Sequence, residues 1–183
     1  MIDYILRYLR QKAVSKSIPK NSIVCDIGCG ADASFLKKIS GVISFGFGFD
    51  KNVNFYKNSK IELNNIDLET DRLPLDDGSI GTVTMLAVLE HLKEPQNIFL
   101  EIFRILKPEG FLIITTPAPL AKPILEFFAF NLKLINQREI KDHKRYLKPS
   151  EITNLLLKSG FKEDKVKIKK FEFGLNILAT ARK

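Results

Sequence analysis

The sequence predicts an α/β fold in which a mostly parallel sheet carries helices on both faces. Three observations predict it. Short apolar runs of strand length alternate with longer stretches of helical spacing from end to end. Seven such strand candidates can be counted. The chain has 183 residues, 45% of them hydrophobic and 27% charged, which suits a single ordinary globular domain over residues 1–183. No repeat, low-complexity linker or domain boundary interrupts it.

Ile2–Val14 places Ile2, Ile5, Leu6 and Leu9 on one helical stripe. Pro19 and Asn21 break it before the apolar strand Ile23–Ile27. Asp32–Ser40 reads as a helix with Asp32 as its cap. Val42–Phe49 is the second strand, with Gly46 and Gly48 arguing against regular pairing. Ile61–Ile66 and Gly81–Leu89 are the third and fourth. Pro95–Leu106 is helical through Ile98, Phe99, Ile102, Phe103 and Leu106. The turn Lys107–Gly110 then stops it and leads into a fifth strand, Phe111–Thr116. Pro117, Pro119 and Pro123 interrupt regular structure. Beyond them, Ile124–Ile135 reads as an apolar helix and Pro149–Ser159 as another, stopped by Gly160. Two strands complete the tail. The first of these, around Lys165–Lys170, alternates lysine with apolar residues as an edge strand with one wet face does.

Composition excludes several classes. No apolar run reaches the roughly 20 residues needed to span a bilayer. Charge is mixed into the N-terminal MIDYILRYLRQK, unlike a secretory signal, so a cytoplasmic location is expected. Cys25 and Cys29 lack the companions of a disulfide framework or zinc site and read as reduced packing residues. The net charge of +8 is lopsided: residues 133–183 hold 14 Lys/Arg against 6 Asp/Glu. Such a region can attract phosphate, nucleic acid or an anionic membrane. Lysines that merely solvate a helix and edge strands are the plainer reading.

Chemistry concentrates in Val24-Cys25-Asp26-Ile27-Gly28-Cys29-Gly30, an apolar strand running into glycines and a helix. Glycine there permits positive φ and lets a ligand approach the backbone, while the helix start offers free N–H groups. A tight turn would need the same glycines for steric reasons alone. Asp50 follows the second strand, where a carboxylate can accept from both hydroxyls of a ribose; a helix-capping Asp is the alternative. Asp67 follows the third strand, where a carboxylate can accept from an adenine amino group; an Asx turn is the alternative.

Taken together, VCDIGCG, Asp50, Asp67, LPLDDGSIGTVTMLAVLEHLKEP and IFRILKPEGFLIITTP resemble the class I S-adenosylmethionine-dependent methyltransferases, in the branch containing quinone-biosynthesis and related small-molecule enzymes. The likeness covers roughly residues 20–120. It implies a Rossmann-like methyltransferase sandwich, with a mostly parallel seven-stranded sheet and an antiparallel last strand. It also implies S-adenosyl-L-methionine as cofactor and S-adenosyl-L-homocysteine as product. Asp26, Gly28 and Gly30 would then form the cofactor turn, Asp50 would hold the ribose, and Asp67 and Leu68 would flank the adenine. Met85–Val88 would run along the methionine end, with His91 close to the methyl-transfer region. Residues 117–146 would be a variable insertion on the substrate side. Two positions depart from the family: Asp32 stands where a third glycine is common, and Gly81 where an Asp is usual.

Methyl transfer from a sulfonium mainly needs alignment, which can contribute roughly 7–11 kcal/mol. A base is needed only for a protonated acceptor. The two histidines, His91 and His143, are the catalytic candidates, their type titrating near neutrality. Arg145, in KDHKRYL, is the candidate contact for an anionic group of the substrate. Phe127, Phe128, Phe130, Leu132, Leu134 and Ile135 offer an apolar face, either core or a lid over an apolar or lipid-like acceptor, with peripheral membrane contact conceivable. The expected acceptor is a small molecule. An RNA methyltransferase is a rival reading, but the small-RNA enzymes with a similar Glu-His pair add a metal-binding acid where Ala87 stands, so no metal site is expected. A catalytically silent methyltransferase-like subunit is the other rival.

Overall fold

The computed structural model describes residues 2–183. Helix α1 (Ile2–Ser15) leads to β1 (Ile23–Ile27), α2 (Ser34–Ile39), β2 (Phe45–Asp50), β3 (Tyr56–Lys57), β4 (Ile61–Asn65) and β5 (Ile80–Leu86). Then follow α3 (Pro95–Ile105), β6 (Leu106–Pro117), α4 (Ala121–Glu126), α5 (Gln137–Asp142), α6 (Pro149–Lys158), β7 (Val166–Phe171) and β8 (Asn176–Arg182). The strands form one sheet in the order β3-β4-β2-β1-β5-β6-β8-β7. β4, β2, β1, β5 and β6 pair in parallel, and β8 runs antiparallel to both β6 and β7. The expected antiparallel last strand is present. The sheet has eight strands rather than seven, because the two residues of β3 turn back antiparallel on β4.

Alternation along the strands divides the core into two layers. Cys25 and Ile27 of β1 and Val83 and Met85 of β5 face Ile98, Phe99 and Ile102 of α3 and Ile152 and Leu156 of α6. Val24 of β1, Leu63 of β4 and Ile113 of β6 face Phe35, Leu36 and Ile39 of α2 and Val14 of α1. With helices on both faces, the central strands are buried nearly throughout, with Asp26, Thr82 and Thr84 among their apolar residues. Both cysteines are free and buried. Among the described residues, no helix is long and apolar enough to cross a membrane.

Local expectations fail where a short-range pattern competes with packing. Asp32 does not cap α2: Ala33 holds the cap position in a left-handed conformation, and the Asp32 carboxylate accepts from the Ser34 N–H at 3.3 Å as a turn. β2 begins at Phe45 rather than Val42, whose carbonyl instead accepts from Asn21 N–H at 2.8 Å. The stop at Lys107–Gly110 is a bulge inside β6: Ile80 pairs with Leu106, but Thr82 pairs with Phe111. Ile124–Ile135 is not one helix. α4 widens into a π-turn at Phe127–Asn131, with Leu132 N–H reaching back to the Phe127 carbonyl at 3.2 Å. Lys133 then turns left-handed at φ 53°, and the separate helix α5 follows, capped by Asn136. Pro123 lies in the first turn of α4, where proline removes no helical hydrogen bond.

The glycines of β2 are there for packing. A Cβ on Gly48 would stand 2.6 Å from Leu63 Cδ2 and 2.9 Å from Leu36 Cδ1, so α2 sits directly on the strand backbone. Gly48→Ala should lower stability by about 1–3 kcal/mol through overpacking. Thermal melts should register this as roughly 2–4 °C for each kcal/mol.

Candidate functional site

The parallel strands end along one rim. Ile27 is level with Phe49 on one side and with Met85 on the other, and Asp50 is level with Asn65. The turn after β1 crosses this rim: Gly28 N–H donates to the Phe49 carbonyl at 2.7 Å, and Cys29 N–H to the same oxygen at 3.2 Å. Gly28 has φ 72°, and a Cβ there would fall 2.2 Å from Val88 Cγ2. Any other residue would meet both a strained backbone and the segment leaving β5. Gly30, also at φ 72°, donates its N–H to Asp50 Oδ2 at 2.9 Å, and Asp50 Oδ1 accepts from Asn52 N–H at 2.8 Å. Each carboxylate oxygen has a second lone pair left for a ligand hydroxyl. The glycine turn and Asp50 are thus one hydrogen-bonded unit.

Asp67 lies beyond β4 on the same rim; Ile66 N–H bonds the Asp50 carbonyl at 3.3 Å. Its side chain is exposed and forms the Asx turn, accepting from Glu69 N–H at 3.0 Å. Leu68 is half-buried against the core. The Met85 side chain is sealed into the core layer beneath α3, which leaves its backbone to face the rim. Asp26 is 2% exposed and accepts a 2.6 Å hydrogen bond from Thr84 Oγ1 on β5. Burial outweighs that bond and, with the nearby Asp50 charge, pushes its carboxyl up to about 7.

These residues fit an adenosyl cofactor with an amino-acid end. The turn presents backbone without side chains, the Asp50 carboxylate keeps a lone pair on each oxygen for vicinal hydroxyls, and a buried acid needs a positive neighbour to ionise at low cost. Cys25 and Cys29, both pushed upward by burial, remain protonated thiols.

The predicted histidines and Arg145 come from two distant segments. After Leu86, Ala87 adopts φ 57° and the chain enters a single helical turn, Leu89–His91. The Glu90 carbonyl accepts from Lys144 N–H at 2.7 Å and Arg145 N–H at 3.3 Å. The Arg145 guanidinium donates to the Lys93 carbonyl. These bonds bring the predicted histidines together, ring centroids 4.9 Å apart and edge to face. His91 Nδ1 lies 3.1 Å from Asp142 Oδ2, and His143 Nδ1 lies 2.8 Å from the Tyr146 hydroxyl. Burial lowers His143 to about 4, helped by repulsion from His91. Asp142 is held low by Lys144 Nζ at 2.8 Å, and burial raises Tyr146 to about 12.

Beside them opens a cleft of about 560 Å³ between α4, α5 and this segment, lined in part by Lys122, Phe130, Ile140, His143, Arg145 and Tyr146. Arg145 therefore has a structural partner as well as a place on the cleft wall.

Sequence reasoning missed four members of this arrangement. Glu90 is buried, raised by desolvation, and accepts from Thr116 Oγ1 at 3.1 Å. Arg10 of α1 lies near enough to act electrostatically on Glu90, His143 and Glu172. Asp142 and Thr84 are the other two. Asp142, adjacent to His143, carries a local signal. Thr84 and Arg10 carry none, because only tertiary packing brings them to their partners.

Asp26 generates a pH prediction. Its folded pKa is above the unfolded value of 3.8, so its contribution to stability is full below about pH 4 and is lost as pH rises through about 7. Asp26→Asn keeps an acceptor for Thr84 and should melt above the wild type at pH 8. Each tenfold change in proton affinity is worth about 1.4 kcal/mol, so the gap should amount to a few kcal/mol at pH 8 and close towards pH 4.

The family model described as "Methyltransferase domain" matches residues 1–166. A ubiquinone biosynthesis O-methyltransferase of Thiobacillus denitrificans is 25% identical over 154 residues, covering 78% of this chain and 66% of the relative. The chain spans 66% and 31% of the lengths of two curated relatives that it matches. Among solved structures, a SAM-dependent methyltransferase from Archaeoglobus fulgidus superposes with TM-score 0.70 at 18% identity, covering 97% of this chain and 94% of that one. An S-adenosylmethionine-dependent methyltransferase from Mesorhizobium loti gives TM-score 0.69 at 16% identity, covering 94% and 96%. The chain belongs to the methyltransferase-domain family, in the class I S-adenosylmethionine-dependent group.

Proposed function

We propose that this chain transfers the methyl group of S-adenosyl-L-methionine to a small-molecule acceptor bound in the cleft of residues 117–146. The observation that carries this reading is the Gly30–Asp50 hydrogen bond, which joins a Cβ-free turn to a carboxylate with lone pairs to spare. Val88 packs against that turn, and three residues further on His91 packs on His143, which lines the cleft. A bound cofactor supplies an activated methyl group on a sulfonium, so the protein's task is placement. Gly28 and Gly30 hold backbone against it, Asp50 accepts from the ribose, Asp67 and Leu68 flank the base, and Asp26 provides negative charge beneath the amino-acid end. Phe130 and Ile140 give the acceptor cleft an apolar side, and Lys122 and Arg145 give it a cationic one. An amphiphilic acceptor matches that wall.

We also read the site as metal-free. Glu90, His91 and His143 bring one polar atom each within 4.8 Å of one another. However, the positive charge of Arg10 acts on both Glu90 and His143, which opposes a cation between them.

Calorimetric titration should find S-adenosyl-L-homocysteine binding in the micromolar range, weakened at least about tenfold in Asp50→Ala, the loss of one charge-assisted bond. No binding at all would support the silent-subunit reading. A turnover screen over phenols, quinone precursors, sugars, lipids and RNA should give a small-molecule product. Strongly salt-dependent turnover of RNA alone would overturn the small-molecule reading. Turnover should survive chelation by EDTA, and its loss would overturn the metal-free reading.

A further inference from the structure

We propose that His91 and Asp142 form a base pair of functional groups in which Asp142 fixes the tautomer of His91, leaving Nε2 to take the proton of an acceptor hydroxyl. The proposal rests on the methyltransferase reading and narrows it to oxygen acceptors.

The geometry leads to it in three steps. First, Asp142 is ionised at neutral pH, because Lys144 Nζ lies 2.8 Å from its other oxygen. An ionised carboxylate only accepts, so the 3.1 Å contact requires His91 Nδ1 to carry the hydrogen. In a neutral imidazole the lone pair then lies on Nε2. Second, the two histidines divide the work. His143, lowered to about 4 by burial, stays neutral and is a weak proton acceptor at physiological pH. It is tied to Tyr146, and its ring packs edge to face against His91. Third, His91 is not sealed in: 28% of its side-chain surface is exposed. It follows Val88, the residue against the glycine turn, by three positions, and its ring packs on His143, which lines the cleft.

The charged and titratable groups around His91 are Glu90 on its own turn, Asp142, His143, Lys144 and Tyr146 on the facing segment, and Arg10 on α1. Among the described residues, Asp142 is the one shown in hydrogen-bond contact with the His91 ring. The proton balance is simple: the acceptor O–H proton passes to Nε2 as the oxygen bonds to the methyl carbon, and the C–S bonding pair returns to sulfur. His91 then releases its proton to solvent. Asp142 touches no reacting atom and acts as a positioning residue.

The test uses the full chain and begins without an acceptor. With only two histidines in the sequence, 15N-resolved NMR of the imidazoles, assigned with His91→Gln, reads each tautomer directly. The expected result is an Nδ1–H tautomer for His91 in the wild type, shifting towards Nε2–H in Asp142→Ala and retained in Asp142→Glu. An Nε2–H tautomer in the wild type, or no change in Asp142→Ala, overturns the proposal. Catechol, aniline and thiophenol then serve as matched oxygen, nitrogen and sulfur probes. His91→Gln should lower catechol turnover by about 10²–10⁴-fold. Asp142→Ala should lower kcat by roughly tenfold or more with KM changed by less than about twofold. Methylation of aniline or thiophenol with none of catechol also overturns it. Failure of S-adenosyl-L-homocysteine to bind the wild type would sink the methyltransferase reading instead, while the NMR result still decides the pairing.

Discussion

The fit of Gly28 against Val88 is the constraint on which the rest of this structure depends. It is the point where the turn after β1 is pressed between the end of β2 and the segment leaving β5. The Phe49 carbonyl takes both Gly28 and Cys29 N–H groups, and the turn continues to Gly30, whose N–H reaches Asp50. A side chain at Gly28 would displace Val88, and with it the short turn carrying Glu90 and His91. The glycine turn with Asp50 and the turn carrying the first histidine are therefore mechanically one piece, although their residues come from separate parts of the chain.

The second anchor is the Glu90 carbonyl. By accepting from Lys144 and Arg145 it fastens the segment after α5 to the end of β5. The Glu90 side chain is directed into the protein, where Thr116 binds it and Arg10 offsets its charge. Burying a carboxylate costs stability unless its charge is balanced. A protein that retains one here gains a fixed position for His91, held by both the backbone and the side chain of its neighbour. The same burial keeps His143 neutral, so two adjacent histidine rings avoid mutual repulsion at physiological pH.

Much of this is legible in the sequence. β1 reads residue for residue, and α3 and α6 each to within one residue, because their apolar periodicity agrees with their burial. The glycine turn, Asp50 and Asp67 fall on one rim by topology alone, since parallel strands end on the same side. What is illegible is non-local. Nothing in Asp32 distinguishes a helix cap from a turn preceding a left-handed Ala33, and both satisfy the same orphan N–H groups. The run Ile124–Ile135 has helical periodicity throughout, but the π-turn at Phe127–Asn131 shifts its register and Lys133 ends it. Met85 illustrates a different gap: a strand residue near a ligand site can offer its backbone to the ligand and its side chain to the core. The cleft itself requires the Glu90 contacts, which no pattern of spacing encodes.

The two rims of the sheet carry a further consequence. On one side β3 is only two residues long, and on the other β7 presents exposed Lys167, Lys169 and Lys170. Bringing a second β7 alongside would set rows of ammonium groups against each other, and β3 offers too little free backbone to template a neighbour. Both edges therefore disfavour the joining of strands from one copy to another.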